Sequence, residues 1–210
     1  MEKIEKSISK ISEDLKIKVC KIAGDASFRT FYRFKKKGKK FILIYCEKNK
    51  KSNLYNYLKV NNILINSSFN APHLVRKNIN KNYVIVEDLG LKSFKTLLKG
   101  KKKLKIYKKI INLLIKIQNN KKLKNSLIPL YTKSVLNNET KIFYDWFLSI
   151  HYNNKKKKLI KSKINKELNK IYESLRLKDL VFVHRDFHAE NLLVRKNKIG
   201  IIDTQDAVKG

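Results

Sequence analysis

Proline and glycine are scarce in this chain, with two Pro and six Gly among 210 residues. That excludes a collagen-like or Pro/Gly-rich low-complexity protein. Cysteine is limited to Cys20 and Cys46, which lie in separate apolar stretches. They make neither a disulfide framework nor the paired spacing of a zinc knuckle, so the expected setting is a reducing cytoplasm. No window reaches the ~18 uninterrupted apolar residues of a membrane span. Residues 1–17 alternate charges with single Ile and Leu and lack the apolar run of a secretory signal. Acid is also short: 17 Asp and Glu stand against 50 Lys and Arg, a formal net charge of +33. Six of those 50 are Arg and the other 44 are Lys.

A charge of this size attracts polyanions. Base and phosphate readout, however, favours the planar fork of Arg. The Lys runs at 35–37, 101–103 and 155–158 do not form one stripe interleaved with aromatics, as a single-strand binder requires. Lys, Asn and Ile together are the residues of AT-rich codons, and compositional drift on a solvated surface accounts for the charge. Specific nucleic-acid binding is not expected; a basic polyanion-binding face stays as the alternative. The chain is 42% hydrophobic, with ten Phe and ten Tyr, which excludes pure disorder. Its length suits one large domain or two small ones.

Ile4, Ile8, Ile11 and Leu15 predict a helix over 2–15. Strands are expected over 16–23, 28–34 and 41–46, separated by turns at 24–27 and near Gly38. A helix over 51–66 follows, then short strands at 73–76 and 82–87, the second ending at Asp88-Leu89-Gly90. Beyond Gly90, helical spacing covers 93–99, 103–119, 138–151 and 158–176, with Leu104, Tyr107, Ile111 and Leu114 marking one face. Strands at 180–183, 192–194 and 199–202 close the chain, the last two joined at 196–198. The organisation is α+β, a small antiparallel sheet with a helix (1–90) and a mostly helical part (91–210), hinged at Gly90.

The polar cluster His184-Arg185-Asp186-Phe187-His188-Ala189-Glu190-Asn191 sits between strands, and Asp203 follows the hairpin. A hairpin of this length returns Asp203 to the Asp186 loop and gathers two carboxylates and an amide oxygen. Hard oxygens of that kind suit Mg²⁺ shared with phosphates, with one carboxylate left to orient a hydroxyl and take its proton. A zinc site on His184 and His188 would need a third nitrogen or sulfur ligand, and the sequence offers none nearby.

This cluster resembles the catalytic loop of protein-kinase-like phosphotransferases. Its HxDxHxxN form is that of the aminoglycoside phosphotransferase and choline kinase group. GDASFR at 24–29, VEDLG at 86–90 and IIDTQDAVKG at 201–210 resemble the bacterial N-acetylmuramate/N-acetylglucosamine 1-kinases, which phosphorylate cell-wall amino sugars at the anomeric hydroxyl. The resemblance implies a bilobal protein-kinase-like fold and an ATP- and Mg²⁺-dependent kinase of peptidoglycan recycling. Asp186 resembles the catalytic base, with His184 and Arg185 beside it in the loop; His184 more often holds backbone geometry in such a fold. Asn191 and Asp203 resemble the Mg²⁺ ligands. Gly24, Asp25, Ala26, Ser27 and Phe28 would cover the phosphates, with Arg29 in reach, and the backbone of Glu87, Asp88 and Leu89 would meet adenine.

The likeness has departures. Thr204 stands where relatives carry an aromatic residue. The strand at 41–46 holds no Lys for the α/β phosphates, and the helix at 51–66 holds no acid to pair with one. Relatives continue for roughly a hundred residues past the matched part, so an incomplete helical lobe is expected. Asp145-Trp146-Phe147 is either an acidic-aromatic patch on the acceptor side or one turn of an amphipathic helix with Trp146 in the core. Alternative acceptors are an aminoglycoside, choline or another small alcohol; the alternative to a kinase is an inactive nucleotide-binding remnant.

Overall fold

Helix α1 (Glu2–Leu15) buries Ile8, Ile11 and Leu15, the stripe its sequence spacing sets on one face. The computed structural model describes residues 2–22, 29–47, 50–175, 179–195 and 198–210. The turn at 24–27 with Phe28, the hairpin turn at 196–197 and Arg176 lie outside the described residues. Lys16 closes α1 with a left-handed φ of +50°, so the strand expected over 16–23 contracts to β1 (Val19–Lys21).

Strands β2 (Arg29–Lys36) and β3 (Lys39–Cys46) form a hairpin. Its two-residue turn puts Lys37 and Gly38 at φ +48° and +74°, the positive-φ turn that matches strand twist. Helix α2 (Ser52–Asn66), β4 (Leu74–Asn78) and β5 (Tyr83–Glu87) follow. The five strands pair antiparallel in the order β1-β2-β3-β5-β4. Alternation sorts their side chains. Leu43, Tyr45, Tyr83 and Ile85 pack with α1, while Ile44, Cys46, Val84 and Val86 pack with Leu54 and Tyr57 of α2.

Helices α3 (Phe94–Leu98), α4 (Lys103–Gln118) and α5 (Lys121–Lys124) come next, the last unpredicted. Helix α6 (Lys133–Ile142) runs through a π-helical turn, Phe143–Leu148, into α7 (Ser149–His151). Helix α8 (Asn154–Ser174), β6 (Phe182–Val183), the hairpin β7 (Leu192–Arg195) and β8 (Lys198–Ile201), and β9 (Val208–Lys209) on β6 complete the order. Helices α6 and α8 start earlier than their apolar spacing implies. Thr132 and Asn153 cap them, accepting hydrogen bonds from Val135 N–H and Lys156 N–H.

The core of this second part joins Val60 and Leu64 of α2 to Phe94, Ile117, Leu123, Phe182, Leu192 and Ile201. Two corrections follow. On α4 the buried stripe is Ile106, Ile110, Leu113 and Ile117, whereas Leu104, Tyr107 and Ile111 are exposed. The helix is apolar on two faces, so its period fits either one. Trp146 does not enter the core; it is 71% exposed on the π-helical turn, beside exposed Ile142, Phe143, Phe147 and Ile150.

Candidate functional site

Residues 184–191 lie between β6 and β7 in a loop braced by its own polar side chains. Asn191 Nδ2 donates to Asp186 twice, to its carbonyl and to Oδ2, each at 3.0 Å. Glu190 N–H donates to His188 Nδ1 at 3.2 Å, which leaves the ring proton on Nε2, directed at Asp186 Oδ1 at 3.1 Å. Asp186 is therefore oriented from two sides and still 56% exposed at its side chain.

The loop is stitched to the end of β8. Ile202 N–H donates to Asn191 C=O, and His184 Nε2 bonds Ile202 C=O, both at 3.0 Å. His184 is buried, and its Nδ1 has no partner among the described residues. Burial pushes its imidazole below the usual value of 6.5, against the pull of the Ile202 carbonyl and of Asp203 and Asp186. The ring is thus a neutral strut between the loop and the residue that follows β8. Arg185, at φ +69°, turns away from Asp186 to pair with Glu139, lies over the Tyr131 ring and reaches Asp206 C=O at 3.4 Å. The structure brings Asp186, Asn191 and the Asp203 segment together and leaves Arg185 on the side facing α6.

Asp203 adopts φ +61°, a left-handed conformation that Asp tolerates better than most residues. Its Oδ1 accepts a hydrogen bond from Arg29 Nη2 at 2.7 Å. Arg29 Nη1 donates to Gln205 Oε1 at 2.6 Å, and the guanidinium lies 5.4 Å from the Phe31 ring and 5.7 Å from the Tyr57 ring. Arg29 opens β2 directly opposite Cys46 at the end of β3. The cation that β3 lacks at this end is therefore supplied by the neighbouring strand. Lys39 and Lys40 do lie in β3, at its other end, and are exposed.

Arg29, Tyr57, Asn191, Asp203 and Gln205 line a cleft of about 620 Å³ between sheet and hairpin. Ile42, Ile44 and Val86 form one apolar wall and Leu193 and Ile202 another, a slot suited to a planar ring; Asn191, Asp203 and Asp206 form a polar end. The connecting residues 87–89 also line it, and the two carboxylates among them are paired. Glu87 pairs with Arg195 of β7. Asp88 pairs with Arg33 Nε at 2.6 Å and caps Gly90 N–H at 2.8 Å. Burial works to raise the Asp88 carboxyl, but the Arg33 and Gly90 hydrogen bonds outweigh it and hold it below the ordinary carboxylate range. Glu87 and Asp88 donate their own N–H groups to His73 and Lys40 carbonyls, while Leu89 N–H has no partner among the described residues. Leu89 also packs on β8: a Cβ at Gly200 would meet Leu89 Cδ1 at 2.7 Å.

With Asn191 Nδ2 committed to Asp186, its Oδ1 is the atom left for a cation, and Asp203 adds a partly exposed carboxylate. Two hard oxygens fit Mg²⁺ that takes its remaining ligands from phosphates and water. Among the described residues no group of three or more His, Cys, Asp and Glu converges as a metal site. Gly24, Asp25, Ala26, Ser27 and Phe28 lie outside the described residues. Arg33, Tyr57, Asn61, Arg195 and Thr204 join the site without having been anticipated. The rarity of Arg among so many Lys was the available signal for Arg33 and Arg195.

Three likenesses bear on this geometry. The N-acetylmuramate/N-acetylglucosamine kinase of Pseudomonas aeruginosa is 23% identical over 188 residues, 90% of this chain and 55% of that protein. The chain thus spans about half the length of the curated relatives it matches. Crystal structures of aminoglycoside phosphotransferase APH(4)-Ia (TM-score 0.70, 13% identity, 98% of this chain and 73% of that one) and ADP-bound APH(2'')-Ib (TM-score 0.61, 17% identity, 98% and 71%) share its fold. At that identity they speak for the protein-kinase-like fold alone. A profile of the phosphotransferase enzyme family covers residues 18–210, and the chain belongs to that family.

Proposed function

We propose that this chain is an ATP-dependent small-molecule kinase that transfers the γ-phosphoryl group to a hydroxyl, the anomeric hydroxyl of N-acetylmuramate or N-acetylglucosamine. The observation that carries the reading is the Asp186–Asn191 loop stitched through Ile202 to Asp203 at the polar end of a slot-shaped cleft. Residues 1–90 act as the nucleotide-binding lobe and 91–210 as the lobe carrying the catalytic loop. The acceptor follows the relatives' names, and the GDASFR and DTQDA segments support it. ATP as donor, with two free cysteines, fits the cytoplasm.

In this reading the adenine lies between Ile42, Val86 and Leu193, with Leu89 N–H as its hydrogen-bond donor. Arg29 faces the phosphates. Asn191 Oδ1 and the Asp203 carboxylate would hold Mg²⁺, which would supply charge neutralisation for the phosphates. Asp186 orients the acceptor hydroxyl and takes its proton as the oxygen bonds to the γ-phosphorus and the bond to the β-bridging oxygen breaks. His188 and Asn191 fix the carboxylate for that step; His184 positions Asp203 through Ile202. Positioning and charge stabilisation supply most of the rate.

The test incubates the chain with ATP, Mg²⁺ and N-acetylmuramic acid beside a panel of N-acetylglucosamine, aminoglycosides and choline. Sugar 1-phosphate is the expected product. Asp186→Asn abolishes turnover while keeping Mg·ATP affinity, and Asp203→Asn weakens Mg·ATP binding. Equal turnover by Asp186→Asn and the parent would remove the proton-acceptor assignment; product from another acceptor alone would replace the sugar.

A further inference from the structure

Asp203 is held in a ring of neighbouring residues that reaches helix α2. Arg29 donates to the Asp203 carboxylate at 2.7 Å. The next residue, Thr204, is fully buried, and its Oγ1 donates to Asn61 Oδ1 at 2.6 Å across 143 positions of sequence. Tyr57 stands one helical turn before Asn61 on the same face of α2. The Tyr57 ring faces the Arg29 guanidinium and closes the circuit. Asn61 is itself anchored, its Nδ2 donating to Pro72 C=O at 3.3 Å. Arg29, Tyr57, Asn61 and Thr204 are each buried. Within this ring Asp203 keeps its left-handed φ of +61°, a conformation that needs its surroundings to hold it.

We propose that Tyr57, Asn61 and Thr204 are positioning residues: the ring they form with Arg29 aims the Asp203 carboxylate into the cleft and couples helix α2 to Mg·nucleotide binding. It does so with a buried neutral hydrogen bond, in a helix that carries no acidic residue to pair with a strand cation. The inference rests on the kinase reading. A ring that served the fold alone would lower stability and leave the metal dependence of nucleotide binding unchanged.

Calorimetric titration of ADP, with and without Mg²⁺, separates the two. The parent binds ADP more tightly with Mg²⁺. Thr204→Val keeps the shape and removes the hydroxyl; it is expected to lose ~10-fold or more of that Mg²⁺-dependent gain, with Mg²⁺-free affinity within about twofold of the parent. Thr204→Ser restores the gain. Circular dichroism confirms that each variant is folded. Should Thr204→Val fail to fold, Tyr57→Phe opens the ring from its other side while keeping the aromatic face, and a smaller loss of the same kind is expected. A full Mg²⁺ gain in a folded variant overturns the ring and leaves the kinase reading intact, as does an equal loss with and without Mg²⁺. A parent that binds no ADP under either condition overturns the kinase reading, and the inference with it.

Discussion

Three of the six arginines, Arg29, Arg33 and Arg195, each hold a carboxylate at or beside the cleft, and Arg185 holds Glu139 on the side facing α6. The planar fork suits such pairs, and the abundant lysines mostly line the solvated surface. At the same scale, two buried rings each make stability depend on pH. Burial pushes His184 below 6.5, so the unfolded chain takes up a proton there before the folded one does. Stability is complete above about pH 6.5 and falls as the pH drops below it. Burial pushes the Tyr57 phenol up to about 12, against the pull of the Asn61 amide and Arg29. The unfolded chain loses that proton from about pH 10, so the contribution of Tyr57 to stability is complete below pH 10 and is lost as the pH rises towards 12. Urea midpoints measured from about pH 5 to 11 should form a plateau bounded on both sides, and His184→Asn and Tyr57→Phe should each flatten one edge.

Among the elements, the strands were the most legible, because aromatic and β-branched runs at 29–34 and 41–46, separated at Gly38, fix their existence. Helix starts were less so, since Thr132 and Asn153 announce them by polarity and not by apolar period. The face of α4 was not legible, because a helix apolar on two sides gives its period no way to choose. In the site, the loop 184–191 and Asp203 could be read from local spacing. Arg29 meeting Asp203, and Asn61 meeting Thr204, could not, since those partners are 174 and 143 residues apart. The hairpin adds a local constraint of its own. A Cβ at Gly200 would meet Leu89 Cδ1 at 2.7 Å, so Gly200→Ala must shift the buried Leu89 side chain. Overpacking of this kind costs ~1–3 kcal/mol. A drop in thermal midpoint is expected, together with weaker nucleotide binding, and Leu89→Ala in the same chain should recover part of the midpoint.

For the molecule as a whole, the charge of +33 says little about what the cleft does, because the acids that shape the site are already paired inside it. Helix α2 says more. Leu54 and Tyr57 belong to the core under the sheet, and Val60 and Leu64 to the core under the hairpin and helices. One rigid rod of 15 residues is thus rooted in two hydrophobic interiors. Neither interior can melt without stripping apolar cover from the other, so the protein has no half-unfolded state with an intact partner. Denaturation should be one cooperative transition, with fluorescence and circular dichroism coincident, and the backbone amides at the centre of α2 should exchange with solvent only through global unfolding.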